Sequence, residues 1–348
     1  MKDSLKKNKK IPQKNKSSRS ILFFSNARKY LVVLDTYVRF IFQRYFNNIY
    51  YILPILSLLI LLLVLAVYNA ALTQQIQDTK ILPPTSIQYQ AYPLIDKTIF
   101  PEITAESAII IDDTAKVTIY EKKPILRFSM ASTTKIMTAL VALDHFRDND
   151  VLTIMSSHTE GALVGFPLGK QVRFEDVLYG MLLPSGNDAA YAIAENFPGG
   201  IEAFIAAMND KAKNLGLAYT HYVDPAGLDD DGNYTTVNDL AHLASYAIKN
   251  PEFVKVTSTK MRIVRTIDNS NVYEIYNLNK LLGENGVTGM KTGYTEGAGE
   301  VLVTTKQERG HTFILVVMKS QNRFEDTKKL LFLISDNVRF IKPLFTSY

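Results

Sequence analysis

The sequence predicts an α+β domain held behind a single apolar anchor, and three observations carry that reading. Strand-like runs occur at both ends of residues 101–342, with helix-patterned sequence between them. Residues 49–72 are almost wholly apolar, and no charged residue occurs between Arg44 and Asp78. Basic residues crowd the stretch before that segment, and residues 1–44 hold twelve Lys/Arg against Asp3 and Asp35.

The 348 residues suffice for one large domain or two small ones. The net charge of +5 belongs to the N-terminal stretch, and the remainder is close to neutral and slightly acidic. The basic balance therefore describes a tail, not a nucleic-acid-binding face. The absence of cysteine excludes disulfides, cysteine nucleophiles, thiolate metal sites and lipoprotein anchoring.

Residues 1–20 are rich in Lys, Ser and Asn and are predicted to be disordered. Residues 21–48 mix aromatic and aliphatic side chains with Arg28, Lys29, Arg39 and Arg44. This composition suits either a segment resting on an anionic membrane surface or an ordinary cytosolic tail helix. Residues 1–48 are assigned together as a basic cytoplasmic tail. Residues 49–72, with Leu58-Leu-Ile-Leu-Leu-Leu-Val-Leu65, are long enough to span a bilayer, and Pro54 is tolerable there. A cleaved signal would have a shorter apolar core and an Ala-x-Ala-like site, which Tyr68-Asn69-Ala70 matches poorly. An uncleaved single-pass anchor is the favoured reading. The preceding positive charge puts the N-terminus in the cytoplasm and the rest outside a bacterial membrane. Residues 73–100, with Pro83, Pro84 and Pro93, read as an extracytoplasmic spacer.

The globular domain is predicted over 101–342, with 343–348 as a tail. Residues 107–111 and 116–120 read as strands around the turn Asp112-Asp113-Thr114-Ala115. Residues 132–249 read as helical, including 174–183, 188–195 and a helix carrying Ile201, Phe204, Ile205, Met208, Ala212 and Leu215 that ends at Gly216. Strands return at 261–267, 287–292, 301–305 and 312–318. The run Phe313-Ile-Leu-Val-Val-Met318 suits a strand covered on both faces. A final amphipathic helix is predicted over 324–340. Strands at both ends imply one mostly antiparallel sheet with helices against it.

Three motifs carry chemistry. Ser132 and Lys135 stand three apart before the apolar run Ile136–Leu143, so they share a face at a helix start. A lysine there is pushed toward its neutral form, and a neutral amine beside a hydroxyl is a base beside a nucleophile. The plainer alternative is an N-capping serine with a snorkelling lysine. Ser185-Gly186-Asn187 puts a hydroxyl and a carboxamide side by side, able to relay a proton and hold a peptide group, or simply to cap a helix. Lys291-Thr292-Gly293 supplies a cation, a hydroxyl and room for a backbone to approach, suiting a strand-like substrate that ends in a carboxylate.

Together, Ser-x-x-Lys, Ser-x-Asn and Lys-Thr-Gly are the residue set of β-lactamases and penicillin-binding proteins. The run from Phe174 to Ala190, Asp224-Pro-Ala-Gly-Leu228, Asn277-Leu-Asn-Lys-Leu-Leu282 and Lys291-Thr-Gly-Tyr-Thr295 resembles the D-alanyl-D-alanine carboxypeptidases. These are the low-molecular-mass penicillin-binding proteins of the β-lactamase/transpeptidase-like superfamily. The resemblance spans about 100–342 and implies a five-stranded sheet flanked by helices, with a helical subdomain forming one cleft wall.

The same resemblance implies roles by matched position. Ser132 becomes the acylated nucleophile, Lys135 its proton acceptor and Ser185 the relay to the leaving amine. Asn187 holds the substrate peptide group, and Lys291, Thr292 and Gly293 receive its carboxylate end. The backbone N–H groups of Ser132 and Tyr294 form an oxyanion hole. Arg323 matches a family arginine near that carboxylate, although Lys319-Ser320 replaces a usually glycine-containing turn; the alternative is a surface salt bridge at a helix start. The implied substrate is a peptidoglycan stem peptide ending in D-Ala-D-Ala, with β-lactams as inhibitors, membrane lipid around the anchor and no cofactor.

Rival readings are a D,D-endopeptidase cutting cross-links, a membrane β-lactam sensor and a class A-like β-lactamase. The last needs a Glu-x-x-Leu-Asn loop, and the nearest string, Glu274-Ile-Tyr-Asn-Leu-Asn279, is one residue too long. His145, His158, His221, His242 and His311 form no paired-ligand pattern. Asp229-Asp230-Asp231-Gly232-Asn233 lacks the alternation and closing glutamate of a calcium loop.

Overall fold

The computed structural model describes residues 18–45, 49–78, 92–95, 100–228 and 232–341. Residues 1–17 and 46–48 of the predicted 1–48 tail, the predicted 343–348 tail, most of the spacer and the acidic run 229–231 lie outside the described residues. The chain divides into two compact units, 1–87 and 88–348.

The first unit holds α1 (Ser18–Tyr45) and α2 (Ile49–Asp78). Within α2, Leu53–Gln74 is long and apolar enough to cross a membrane, and none of it is buried. Two hydroxyls in this helix bond back to its own carbonyls, Ser57 to Pro54 at 2.8 Å and Thr73 to Asn69 at 2.6 Å. A polar group can enter an apolar phase at low cost when it is satisfied in this way.

In the second unit, β1 (Tyr92–Ile95) precedes the hairpin β2 (Ser107–Asp112) and β3 (Val117–Lys122). The short β4 (Phe128–Ser129) leads through a 3₁₀ turn, Ala131–Thr134, into α3 (Lys135–His145). Then come β5 (Val151–Thr153), β6 (Gln171–Arg173), α4 (Phe174–Leu182), α5 (Asn187–Glu195) and α6 (Gly200–Asn214). They are followed by β7 (Tyr234–Thr235), α7 (Val237–Ala247), α8 (Pro251–Thr257), β8 (Met261–Arg265) and β9 (Val272–Tyr276). The chain closes with β10 (Val287–Thr295), β11 (Gly299–Glu308), β12 (His311–Ser320), α9 (Arg323–Asn337) and β13 (Val338–Ile341).

The central sheet has five strands in the order β10-β11-β12-β2-β3, all antiparallel. Its middle strand explains the unbroken apolar run at 313–318. Phe313, Leu315 and Val317 enter the core under α9, while Ile314, Val316 and Met318 enter the larger core on the helical side. Residues alternate between faces along a strand, so only a sheet covered on both sides makes every position apolar. In the helical core, Ile136 to Ala142 of α3 are all buried, as their composition predicts.

Four expectations are corrected. The 132–249 region is not purely helical, because β5 and β6 form a hairpin around the long 154–170 segment. The 261–267 run does not join the central sheet; β8 pairs with β9 as a separate hairpin that buries Val264 and Ile275 on one face. Residues 92–95, predicted as spacer, form a strand paired with β13. That pairing also ends the last helix at Asn337, three residues before the predicted Phe340.

Asp326 at the start of α9 joins the two ends of this unit. Its carboxylate accepts from Thr104 N at 2.9 Å, Thr104 Oγ1 at 2.7 Å, Ala105 N at 2.8 Å and Ser320 Oγ at 2.6 Å. Burial pushes the carboxyl up, but these donors hold it below its ordinary value. Its stabilisation is therefore present above the unfolded carboxyl range and is lost as pH falls through the lowered folded value. We expect Asp326→Ala to cost about 3 kcal/mol by stranding buried donors. Chemical denaturation should show that difference near neutral pH and a smaller one in strong acid.

Candidate active site

The site is assembled from the turn before α3, the loop into α5 and the edge strand β10. Ser132 lies in the 3₁₀ turn and Lys135 opens α3, so the three-residue spacing places both on one side. Lys135 Nζ donates to Ser132 Oγ at 2.9 Å, to Asn187 Oδ1 at 2.7 Å and to the carbonyl of Ala226 at 2.7 Å. Lys135 is 0% exposed, and burial lowers its pKa from 10.5 to about 7, against the raising fields of Asp224 and Asp188. A snorkelling lysine would keep its ammonium in water; this one does not. Ser132 does not cap α3 either, since the N-cap is Thr134 and it makes no side-chain cap bond.

Lys291 Nζ donates to Ser185 Oγ at 2.8 Å and to its neighbour's carbonyl, Thr292 O, at 3.0 Å. Its pKa is held well below the ordinary value, first by burial and then by the charges of Lys135 and Arg323. Burial is the larger cause at both lysines.

The carboxamide of Asn187 accepts from Lys135 and donates to Glu160 O at 2.8 Å, leaving one hydrogen and one lone pair for a peptide group. Ala131 and Ser185 both sit at positive φ, +46° and +67°, which side-chain-bearing residues rarely adopt. Such strain concentrates where surrounding structure fixes a functional group.

Two glycines allow the close approach. A Cβ at Gly293 would stand 3.2 Å from Ser132 N, so β10 runs directly against the nucleophile turn. A Cβ at Gly227 would fall 2.0 Å from Ala131 O, and Gly227 has φ +82°. Arg323 Nη1 donates to Gly293 O at 2.7 Å, and its backbone N donates to Glu300 Oε2 at 2.7 Å. Its Nε is buried with no hydrogen-bond partner. The guanidinium therefore points at the cleft and is not part of a surface salt bridge.

Ser132, Ser185, Asn187, Thr292, Gly293, Tyr294 and Arg323 all line one cavity of about 280 Å³. Lys135 and Lys291 lie beneath it, within hydrogen-bond reach of Ser132 and Ser185. A larger groove of about 1080 Å³ along β1 and β3 contains none of these residues. Glu274 also lies elsewhere, bonded to Tyr276 Oη on the exposed face of β9.

Sequence reasoning assigned no role to the groups that surround Lys135. Asp224 accepts from Ala226 N and Gly227 N, both at 2.6 Å, and so aims the Ala226 carbonyl at Lys135. Asp188 accepts from Val164 N at 2.9 Å, Gly165 N at 2.8 Å and Phe166 N at 3.1 Å, fixing the loop beside Asn187. The available signal was a carboxylate just ahead of a Pro-Ala-Gly turn at 224–227, and another directly following Asn187.

A family profile described as D-alanyl-D-alanine carboxypeptidase matches residues 95–322. A D-alanyl-D-alanine carboxypeptidase of Streptomyces sp. (strain K15) is 33% identical over 253 residues, covering 66% of this chain and 87% of the relative. A D-alanyl-D-alanine endopeptidase of Escherichia coli (strain K12) is 32% identical over 230 residues, covering 64% and 74%. The crystal structure of the Streptomyces K15 DD-transpeptidase superposes with a TM-score of 0.64 at 32% identity, covering 68% of this chain and 98% of that one.

Burial of Lys135 makes a prediction independent of activity. Between about pH 7 and 10.5 the unfolded chain holds a proton on this lysine that the folded chain has lost. Stability should therefore rise with pH across that window. Lys135→Met, which removes the titration and keeps most of the volume, should flatten the rise. Melting temperature against pH for both proteins checks this, and parallel curves would refute it.

Proposed function

The chain belongs to the D-alanyl-D-alanine carboxypeptidase family, and from that premise we propose that it removes the terminal D-alanine from peptidoglycan stem peptides through an acyl-enzyme on Ser132. One observation carries the reading: a fully buried lysine, lowered to about 7, stands 2.9 Å from the serine hydroxyl. The uncharged amine takes the proton of Ser132 as Oγ attacks the carbonyl between the two D-alanines. The backbone N–H groups of Ser132 and Tyr294 receive the developing oxyanion. Ser185, bonded to Lys291, passes a proton to the leaving amine. D-alanine departs, and water hydrolyses the ester.

Substrate placement follows from the same groups. An extended peptide lies along the open edge of β10, as strand-like ligands do on sheet edges. Thr292, Lys291 and Arg323 meet its terminal carboxylate, and the buried unpartnered Nε of Arg323 supports that placement. The remaining arms of Asn187 hold the peptide group. A β-lactam acylates the same serine because its carbonyl and carboxylate are similarly spaced.

For the whole chain we propose an uncleaved anchor at 53–74. The basic residues before it support a cytoplasmic N-terminus and a catalytic domain outside the membrane.

Three substrates given to the wild type and Ser132→Ala test the reading: a labelled penicillin, a D-Ala-D-Ala peptide and a cross-linked muropeptide dimer. Label and free D-alanine are expected with the wild type and neither with the variant. Cleavage of the dimer without D-alanine release would favour the endopeptidase. Stable label with no release would favour the sensor, and rapid loss of label a β-lactamase. Two kinetic outcomes are also expected. The acylation rate should rise with pH and level off above about 7, as Lys135 loses its proton. Arg323→Ala should raise KM for the peptide by roughly tenfold, and lower kcat less, if the arginine binds the carboxylate in ground and transition state alike.

A further inference from the structure

The proposed chemistry leaves α1 unused, and its faces are sharply divided. At about 100° per residue, Lys29, Asp35, Thr36, Arg39 and Gln43 fall within an arc of roughly 120°, interrupted only by Val32. Over residues 29–43 the opposite arc is wholly apolar or aromatic. Its members Tyr30, Leu31, Leu34, Ile41 and Phe42 are 77%, 58%, 56%, 37% and 40% exposed. The charges on the polar arc face water too, including the Arg39–Asp35 pair at 2.9 Å.

An apolar helix face of this size needs a cover. Two observations identify it. The stretch is strongly cationic, with twelve Lys/Arg against two Asp over residues 1–44. It is also continuous with the apolar helix α2: only residues 46–48 separate Tyr45 from Ile49, a reach of at most about 14 Å. If α2 spans the bilayer, the end of α1 is held at the headgroup level of the leaflet on the N-terminal side. We propose that α1 lies in that leaflet's surface, its apolar arc sunk among the acyl-chain ends and its basic residues on anionic phospholipid headgroups. Both signals needed for stable surface binding are then present in one stretch of sequence, an apolar helix face and a polybasic flank. This inference rests on the anchor reading of 53–74, and the test separates the two.

The chain contains no tryptophan, so a single introduced one reports its own surroundings. Full-length Leu34→Trp, Thr36→Trp and Leu61→Trp would each be reconstituted in vesicles of phosphatidylcholine and phosphatidylglycerol, with bromine-labelled lipid as quencher. Quenching at position 34 should exceed that at 36 by roughly threefold, with a blue-shifted emission. Adding Lys29→Glu and Arg39→Glu, or omitting phosphatidylglycerol, should remove most of that difference. Equal quenching at 34 and 36 would overturn the proposal. So would a blue-shifted emission from position 34 that lipid does not quench, because a protein partner would then be covering the face. Absence of quenching at position 61 would instead sink the anchor reading, and this inference with it.

Discussion

Everything in the catalytic unit depends on an ammonium group that the fold takes out of water. Moving Lys135 from 10.5 to about 7 corresponds to roughly 5 kcal/mol of preference for the neutral amine. The fold does not relieve that burden with a directly bonded carboxylate. Its contacts are a hydroxyl, a carboxamide oxygen and a carbonyl; once uncharged, the amine keeps two hydrogens for the carboxamide and carbonyl oxygens and has a lone pair for the Ser132 hydroxyl. Asp224 and Asp188 act from farther off, and their oxygens are engaged by backbone N–H groups. Burial wins, the two carboxylates moderate it, and the amine is left at about 7, where it can gain or lose a proton near neutral pH.

Those same carboxylates explain why loops far apart in sequence share one geometry. Asp188 follows Asn187, so the residue that touches the base is adjacent to the residue that pins 164–166. Asp224 shapes 226–228, so the carbonyl on Lys135 and the glycine under Ala131 belong to one turn. Lys291 has no such moderation: burial and two cations all act against its charge. An anionic group entering the cavity would favour its protonated form and that of Arg323 together. On the proposed reading, a carboxylate on the ligand would be that group.

What could be read in the sequence was whatever leaves a local trace. The two-faced burial of 313–318, the buried helix at 136–142 and the periodic helix of 201–215 follow from residue pattern alone. The convergence of Ser132, Ser185 and Lys291 was legible only through the resemblance, because nothing in three separate short motifs fixes a distance. The β1–β13 pairing joins residues nearly 250 positions apart, and a four-residue strand after a proline-rich stretch carries no mark of its partner. β8 was legible as a strand but not as a member of its own hairpin, since β9 mixes Glu274 with Val272 and Ile275. Positive φ at Ala131 and Ser185 was invisible because neither residue type favours it.

The sheet edge completes the picture. An open edge strand invites pairing with other chains, and proteins usually shield such edges. Here β10 is open beside the nucleophile turn, and the contact is made tight by leaving atoms out. Gly293 presses on the peptide unit before Ser132 from one side, and Gly227 presses on the Ala131 carbonyl from the other. A methyl group at either place would have to displace backbone, not a flexible side chain. The serine is held by two absent side chains at a strained Ala131, and the open edge beside it is left able to pair with a strand-like ligand. On the proposed function, the exposure that would be a liability elsewhere is at this position what lets a bound peptide reach the hydroxyl.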